Sequence, residues 1–353
     1  MEQKSEPGQA GLEPLSTIAD IAAKAGVSIP TVSRVLNKRP DVALATRERV
    51  ERIIKESGFV RNNAARALRK GSTGLVDIVV PGLESDYMFE VIRGVDEVLE
   101  RVGLRLALSV IGRDMLRERE WLENMANRST DGVILITGRG HSEQLEELRR
   151  RKIPFVVVDH RGEIGPDAPS VGATNWYGAR IATEYLLSLG HRRIATISGN
   201  PTLRCSLDRI AGYRSAMEAA GVPIDPDLQR PGDFQQEMAY EETCALLALQ
   251  QPPTAILTGN DIQAVGAYSA LRAHAISVPE SMSVIGFDDL SFTTLITPQL
   301  TTVRQPLIEM GRIATTMLLR LIAGEPFGSI RIELSTILIK RESCAAPSIP
   351  FSA

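Results

Sequence analysis

Between Ser16 and Ser57 the apolar positions recur at helical spacing and are interrupted at short intervals. Ile18, Ile21, Ala22 and Ala25 share one face. Thr17, followed three residues later by Asp20, has the pattern of a helix N-cap pair, and Gly26 breaks that helix. Ser28 is placed to cap a second helix. Pro30 is tolerated in its first turn because the missing N–H has no intrahelical partner there. Val32, Val35 and Leu36 give this helix its apolar face. Thr46 is expected to open a third helix, with Val50, Ile53 and Ile54 inward and Gly58 as its stop. Residues 59–71, F-V-R-N-N-A-A-R-A-L-R-K-G, form a basic, Ala-rich connector suited to a fourth, short helix.

After Gly71 the pattern changes. Apolar runs predict strands at 75–80, 104–110, 132–136, 154–159, 193–198, 254–258 and 282–287. Amphipathic stretches between them predict helices near 87–102, 115–128, 142–151, 176–189, 206–220, 236–249 and 261–274. Repeated strand–helix units imply a parallel α/β sheet covered on both faces. About 280 residues is long for one such sheet and comfortable for two.

Charge separates the two regions. The whole chain has 353 residues and a net charge of −3. Residues 1–71 carry 13 basic and 8 acidic side chains, net +5, and residues 16–70 alone are net +7. The remainder is net −8, so only the head is suited to meet a polyanion. Cys205, Cys244 and Cys344 are widely spaced, with no C-x-x-C, which fits a reducing cytoplasm better than a disulfide framework or a structural zinc site. Residues 1–15 are Gly/Pro/Glu-rich, read as a disordered tail and not as a signal peptide. No run approaches the roughly 20 apolar residues of a membrane span.

Thr17–Asn37 has helix-turn-helix anatomy, two short helices meeting at a tight Gly-containing turn. The second helix of such a motif enters the major groove, its N-terminal residues on base edges. Here these are Ile29, Pro30 and Thr31, with Arg34 one turn along. A guanidinium pairs bidentately with guanine O6 and N7, so Arg34 is the leading base-reading candidate. Ile29 and Pro30 offer apolar contacts. Thr17, Ser28, Thr31, Ser33 and Asn37 carry short polar groups suited to phosphates, which fix register without reading sequence. The competing reading is a packing bundle whose hydroxyls are only caps.

The runs A-D-I-A-A-K-A-G-V-S, T-V-S-R-V-L-N, T-R-E-R-V and N-x-x-A-R-A-L together resemble the headpiece of the lactose-repressor/galactose-repressor family of bacterial transcription factors. The likeness extends from about Thr17 to about Arg341. It implies a small all-α helix-turn-helix headpiece plus an α/β periplasmic-binding-protein-like body of two doubly wound subdomains joined by three crossovers. The implied organisation is a headpiece over 16–60, a hinge helix and linker over 61–72, and a body over 73–346. Within the body the N-subdomain is placed near 74–172 and 303–335, and the C-subdomain near 173–302 and 336–346, with a tail over 347–353. The resemblance also implies that paired hinge helices enter the minor groove and wedge a leucine between base pairs. By position that leucine is Leu68, with Asn62 and Arg66 beside it. An apolar wedge of this kind unstacks a base step, and the bent duplex then meets more protein. One departure concerns Phe59-Val60-Arg61-Asn62, where family members commonly carry Tyr-x-Pro-Asn; the stiffening proline is missing.

In the body, several polar residues follow apolar runs directly, where parallel sheets bind ligands. Asp159 ends I-P-F-V-V-V-D, Asn260 and Asp261 end A-I-L-T-G-N-D, and Asp288 and Asp289 end S-V-I-G-F-D-D. The resemblance implies that Arg209, Asn260 and Asp288 hydrogen-bond a small effector, commonly a sugar, with Gln305 at a crossover and Phe234 stacking on the ligand. Asp86, Tyr87 and Phe89 are weaker candidates on the opposite lobe. Asp261 and Asp289 read more readily as helix caps. His191 reads as a cap to a loop before the next strand. Trp176 either lines the cleft or packs a helix start.

No G-x-S-x-G, H-E-x-x-H or P-loop lysine motif is present, and the four histidines have no metal-ligand spacing. No enzyme activity, cofactor or metal is therefore expected. The expected protein is a cytoplasmic, homodimeric repressor of carbohydrate-utilisation genes. It would bind near-palindromic operator DNA and be controlled by a saccharide in the cleft. A purine or nucleoside effector and a sugar-binding module without a regulatory role are the alternatives.

Overall fold

In the computed structural model the chain forms two compact units, residues 1–71 and 72–353. The structure describes residues 17–59, 72–83, 86–112, 115–125, 130–136, 141–159, 167–325 and 330–348. Asn62, Arg66 and Leu68 of the connector lie outside the described residues, as do residues 1–16.

The described residues of the head form three helices: α1 (Ile18–Ala25), α2 (Ile29–Leu36) and α3 (Leu44–Glu56). Thr17 and Asp20 form a reciprocal capping box. The Asp20 N–H donates to Thr17 Oγ1 at 3.3 Å and the Thr17 N–H donates to Asp20 Oδ2 at 2.8 Å. Such a cap stabilises a helix by about 1 kcal/mol. Gly26 ends α1 with φ 61°, a left-handed conformation that costs a glycine little. Ser28 caps α2 through the Thr31 N–H. The third helix starts earlier than its sequence signal, at Leu44 after an Ala43 with no side-chain cap, so Thr46 lies inside it. Ile21, Ala22, Ala25, Val32, Val35 and Val50 form the buried core, and Phe59 packs against it.

The body contains two six-stranded sheets. The first has the order β11-β5-β4-β3-β1-β2. Its strands are β1 (Leu75–Val80), β2 (Arg105–Val110), β3 (Gly132–Ile136), β4 (Phe155–Val158), β5 (Ser170–Ala173) and β11 (Arg331–Leu334), all paired in parallel. The second has the order β12-β10-β9-β8-β6-β7. It comprises β6 (Ile194–Ile197), β7 (Gln229–Arg230), β8 (Ala255–Thr258), β9 (Ser283–Asp288), β10 (Thr301–Arg304) and β12 (Ile337–Ile339); among the described residues only its β10/β12 pair is antiparallel.

Helices cover both sheets. They are α4 (Asp86–Val102), α5 (Met115–Met125), α6 (His141–Arg150), α7 (Asn175–Ser188), α8 (Arg204–Ala219), α9 (Gln236–Leu247), α10 (Asp261–Ala273) and α11 (Leu307–Ile322). Each sheet has an apolar cluster on either face. On the first lobe α4 and α11 approach at Gly94 and Gly311. A Cβ on Gly94 would overlap the Ile308 carbonyl and one on Gly311 the Val91 carbonyl, so only glycine permits that spacing.

The chain passes between lobes at 173–175, 304–307 and 334–337. Two boundaries differ from the sequence reading. β10 continues through Arg304 in the second sheet, so a boundary at 302/303 would cut the strand, and Ala173 still pairs in the first sheet. The sequence pattern does not single out β5, β7, β10, β11, β12 or α11. All five of these strands are only two to four residues long, and β11 alternates exposed with half-buried positions. Apart from the three-residue I-L-I of β12 they show no apolar run, because a neighbouring strand, and not their own sequence, recruits them.

Candidate DNA-binding head and ligand cleft

On the head, Ile29, Pro30 and Arg34 are exposed along α2. Arg34 Nε lies 3.7 Å from Asp41 Oδ2, with both side chains more than half exposed. Such a pair contributes little and leaves the guanidinium available to a partner. The hydroxyls do have local roles. Thr17 Oγ1 belongs to the capping box, Ser28 Oγ lies 2.9 Å from Thr31 Oγ1, and Asn37 Nδ2 donates to Ser33 Oγ at 3.4 Å.

In the body, Arg209 is the centre of a buried cluster on the second lobe. Its position on α8 points it at the ends of β8 and β9. Nε donates to Asn175 Oδ1 at 2.8 Å, Nη1 donates to the Gly259 carbonyl, and Nη2 lies 3.8 Å from Asp288 Oδ1. The Phe287 ring lies 3.7 Å from the guanidinium carbon and the Phe234 ring 5.6 Å, so two aromatic faces flank the cation. Phe234 holds a left-handed backbone, φ 60°, and its ring rests where a Cβ on Gly199 would be.

Asp288 also accepts from Gln305 Nε2 at 2.6 Å. Burial pushes its carboxyl up to about 7, against the opposing pull of Arg209 and Gln305, and the Asp159 charge adds to the rise. Gln305 Oε1 and Ser206 Oγ are buried without a hydrogen-bond partner among the described residues. From the first lobe, Tyr87 donates to Asp159 Oδ2 at 3.1 Å. Burial first, then the charges of Asp159 and Asp288, raise the Tyr87 pKa, so this phenol remains a neutral donor. The two lobes thus present their polar groups to each other. Ser291 donates to Asp86 at 3.4 Å beside this site, and Leu290 and Phe292 pack into the first lobe's core.

The structure therefore brings together Tyr87, Asp159, Arg209, Phe234, Asp288 and Gln305. It does not bring Phe89 among them. Two residues beyond Tyr87 and on another face of α4, Phe89 is 51% exposed.

Four assignments change, those of Asn260, Asp261, Asp289 and His191. Asn260, not Asp261, caps α10, its Oδ1 accepting from the Gln263 N–H at 2.8 Å, while its Nδ2 reaches the Phe234 carbonyl at 3.4 Å. Asp261 is fully buried and accepts from the Leu290 N–H at 2.8 Å and from Thr302 Oγ1. Asp289 is an ion-pair hub and not a cap, held by Arg304 at 2.6 Å and Arg341 at 2.5 Å. Trp176 is 39% exposed beneath the Arg180 guanidinium. Asn175 and Phe287 are the functional candidates the sequence reading missed. The Asn after β5 resembles a helix-start residue, and Phe287 a core strand residue; only the fold brings Arg209 to both.

His191 is not a loop cap. It is buried, with Nδ1 2.8 Å from Thr254 Oγ1 and Nε2 2.9 Å from the Ala345 carbonyl, so it ties the C-terminal segment to the second sheet. Burial lowers its pKa. The unfolded chain then takes up the proton first, near pH 6.5, and stability falls as pH drops below that value. The stability advantage of the native protein over His191→Gln is expected to shrink between pH 7.5 and pH 5.5. Paired thermal melts check this; a constant gap would contradict a neutral buried imidazole.

A helix-turn-helix head followed by a two-lobed α/β body defines a transcription regulator of the ligand-binding type. The description "bacterial regulatory proteins, lacI family" matches residues 17–62, and "periplasmic binding protein-like domain" matches residues 183–344. The ribose operon repressor of Escherichia coli K12 is 33% identical over 93% of this chain and 100% of its own length. The HTH-type transcriptional repressor CytR of the same strain is 32% identical over 95% of this chain and 98% of its own.

Among solved structures, the CelR–cellobiose complex aligns with a TM-score of 0.73 and 32% identity, covering 93% of this chain and 99% of that one. The lac repressor dimer bound to operator and the anti-inducer ONPF aligns at 0.83 and 25% identity, covering 94% and 99%. The chain belongs to the lacI family of bacterial regulatory proteins: it is a DNA-binding repressor-type regulator and not an enzyme.

Proposed function

We propose that the protein represses genes of carbohydrate use and that a sugar, held between the lobes, sets its affinity for operator DNA. The observation that carries this reading is the buried Arg209–Asp288 pair, flanked by two aromatic rings and facing Tyr87 and Asp159. Carboxylates and an amide oxygen accept from sugar hydroxyls, and an aromatic face suits the C–H face of a sugar ring. Gln305 Oε1 offers an acceptor that no described residue uses. Ribose in a related lacI-family structure from Enterococcus faecium, 27% identical, and cellobiose in CelR support the ligand class.

The homodimer and a near-palindromic operator fit the lac repressor dimer on its operator. In this reading Arg34, Ile29 and Pro30 read bases, Leu68 wedges the minor groove with Asn62 and Arg66 beside it, and the short polar side chains of Thr17, Ser28, Thr31, Ser33 and Asn37 fix register. The two lobes adopt two angles, the sugar favours one, and by linkage operator weakens or strengthens sugar binding by the same factor.

A melting screen of the full chain against D-ribose, cellobiose, other mono- and disaccharides and purine nucleosides tests the proposal. A true ligand at 100 times its Kd adds about 2.7 kcal/mol of stability. A sugar that raises the melting point and shifts operator affinity is the expected result. A purine nucleoside doing so in place of every sugar would overturn the sugar assignment.

A further inference from the structure

Arg209 and Asp288 form the floor of the cleft, and each is tied to a different strand passing between the lobes. Arg209 Nε donates to Asn175 Oδ1 at 2.8 Å, and Asn175 Nδ2 in turn donates to the Ala173 carbonyl at 3.1 Å. Asn175 therefore bonds the guanidinium on one side and the first crossover on the other. Asp288 accepts from Gln305 Nε2 at 2.6 Å, and Gln305 lies on the second crossover. The third crossover joins through a threonine clasp. The Thr336 N–H donates to Thr174 Oγ1 at 3.0 Å, and Thr336 Oγ1 donates to the Thr174 carbonyl at 3.2 Å. The Thr174 N–H meanwhile donates to the Leu334 carbonyl at 2.9 Å.

The result is one connected path: Thr336, Thr174 with Asn175, Arg209, Asp288, Gln305. It touches all three crossovers and passes through both charged groups of the cleft floor. Thr336 is 1% exposed and Asn175 6%, so water does not compete for these bonds.

We propose that Asn175, Thr174 and Thr336 are positioning residues that pass occupancy of the Arg209–Asp288 site into the three-strand hinge. This rests on that site being where the effector binds. The physical reason is geometric. A change of lobe angle must turn the backbone at the three crossovers, and two of these donate or accept directly at the floor while the third is locked to the first. A ligand that shifts Arg209 by a fraction of an ångström pulls on Asn175, and the clasp transfers that pull to the opposite crossover strand. Discrete rearrangement of such a network is what makes a site and a hinge one equilibrium.

Thr336→Val is the test, because it removes one hydroxyl at the far end of the path and touches neither Arg209 nor Asp288. Thr336→Ser restores the hydroxyl and serves as the rescue. The first readout uses the full chain without ligand, by amide hydrogen exchange. Exchange in T336V is expected to be at least threefold faster than in the native protein at 173–175, at 304–307 and in the segment of α8 carrying Arg209, with T336S unchanged. Faster exchange confined to 334–337, or spread through the whole body, would overturn the proposal.

The second readout uses D-ribose as the probe and a specific operator fragment. The ratio of operator affinities with and without D-ribose is expected to fall at least fivefold in T336V, while affinity without D-ribose stays the same. A full ratio in T336V would overturn the wiring. A native protein indifferent to D-ribose and to cellobiose would instead count against the sugar reading, and the exchange experiment would still decide the hinge network.

Discussion

Replacing Arg209 by alanine is expected to leave a protein that holds its operator and no longer responds to any sugar. The side chain supplies three nitrogens to fixed partners, Asn175, Gly259 and Asp288, and lies against the Phe287 ring. A hydrogen bond to a charged group contributes about 1.5–3 kcal/mol, so effector affinity should fall on the order of 100-fold. Isothermal calorimetry with the sugar found in the melting screen measures the loss, and an operator titration shows whether DNA binding survives.

The same variant carries a pH signature. Asp288 is already raised to about 7 by burial, and removing Arg209 takes away the strongest influence holding it down. A carboxyl whose folded pKa lies above its unfolded value stabilises the fold at low pH and loses that contribution as pH climbs through the folded pKa. In the native protein this loss ends near pH 7; in Arg209→Ala it continues upward. The stability gap between the two proteins should therefore be smallest near pH 6 and widen from pH 7 to pH 8.5. A gap that narrows over that interval would mean Asp288 does not respond to Arg209.

Arg34→Ala is expected to act on DNA alone. Arg34 is exposed on α2, outside the head's core of Ile21, Val32, Val35 and Val50, so its removal spares the fold. A bidentate arginine–guanine contact is worth about 1–3 kcal/mol of discrimination, or roughly 5- to 150-fold. Specific binding should drop by that factor while non-specific binding at low salt changes little, because one phosphate-range charge in a head of net +7 is a small part of the field. A variant that lost specific and non-specific binding equally would assign Arg34 to phosphate contact. Competition titrations with operator and scrambled fragments separate the two.

Much of this architecture is legible in the amino-acid sequence. The capping box at Thr17 and Asp20, the left-handed Gly26 and the Ser28 cap are local devices, complete within a few residues, and the sequence states them directly. The long apolar strands and amphipathic helices of the body are local in the same sense, and the resemblance of the head named the family that the comparisons show. The neighbouring pairs Asn260–Asp261 and Asp288–Asp289 were not divisible in that way. Within each pair both residues follow a strand, both are short and polar, and either could cap a helix or face a ligand. Their division into cap, buried anchor, cleft acid and ion-pair hub depends on what lies opposite: Gln263, Leu290, Arg209 and Arg341 respectively.

By itself, then, the sequence determined the head, the alternation of strands and helices, and the charge contrast between a basic reader and an acidic body, because periodicity, caps and charge are properties of short stretches of chain. The tertiary structure alone decided which polar groups meet. Asn175 and Arg209 are 34 positions apart, Thr174 and Thr336 are 162 apart, and no local rule pairs them. Those pairings exist because the chain crosses three times between two sheets, and burial at the crossings leaves each polar group no partner except the one the fold delivers.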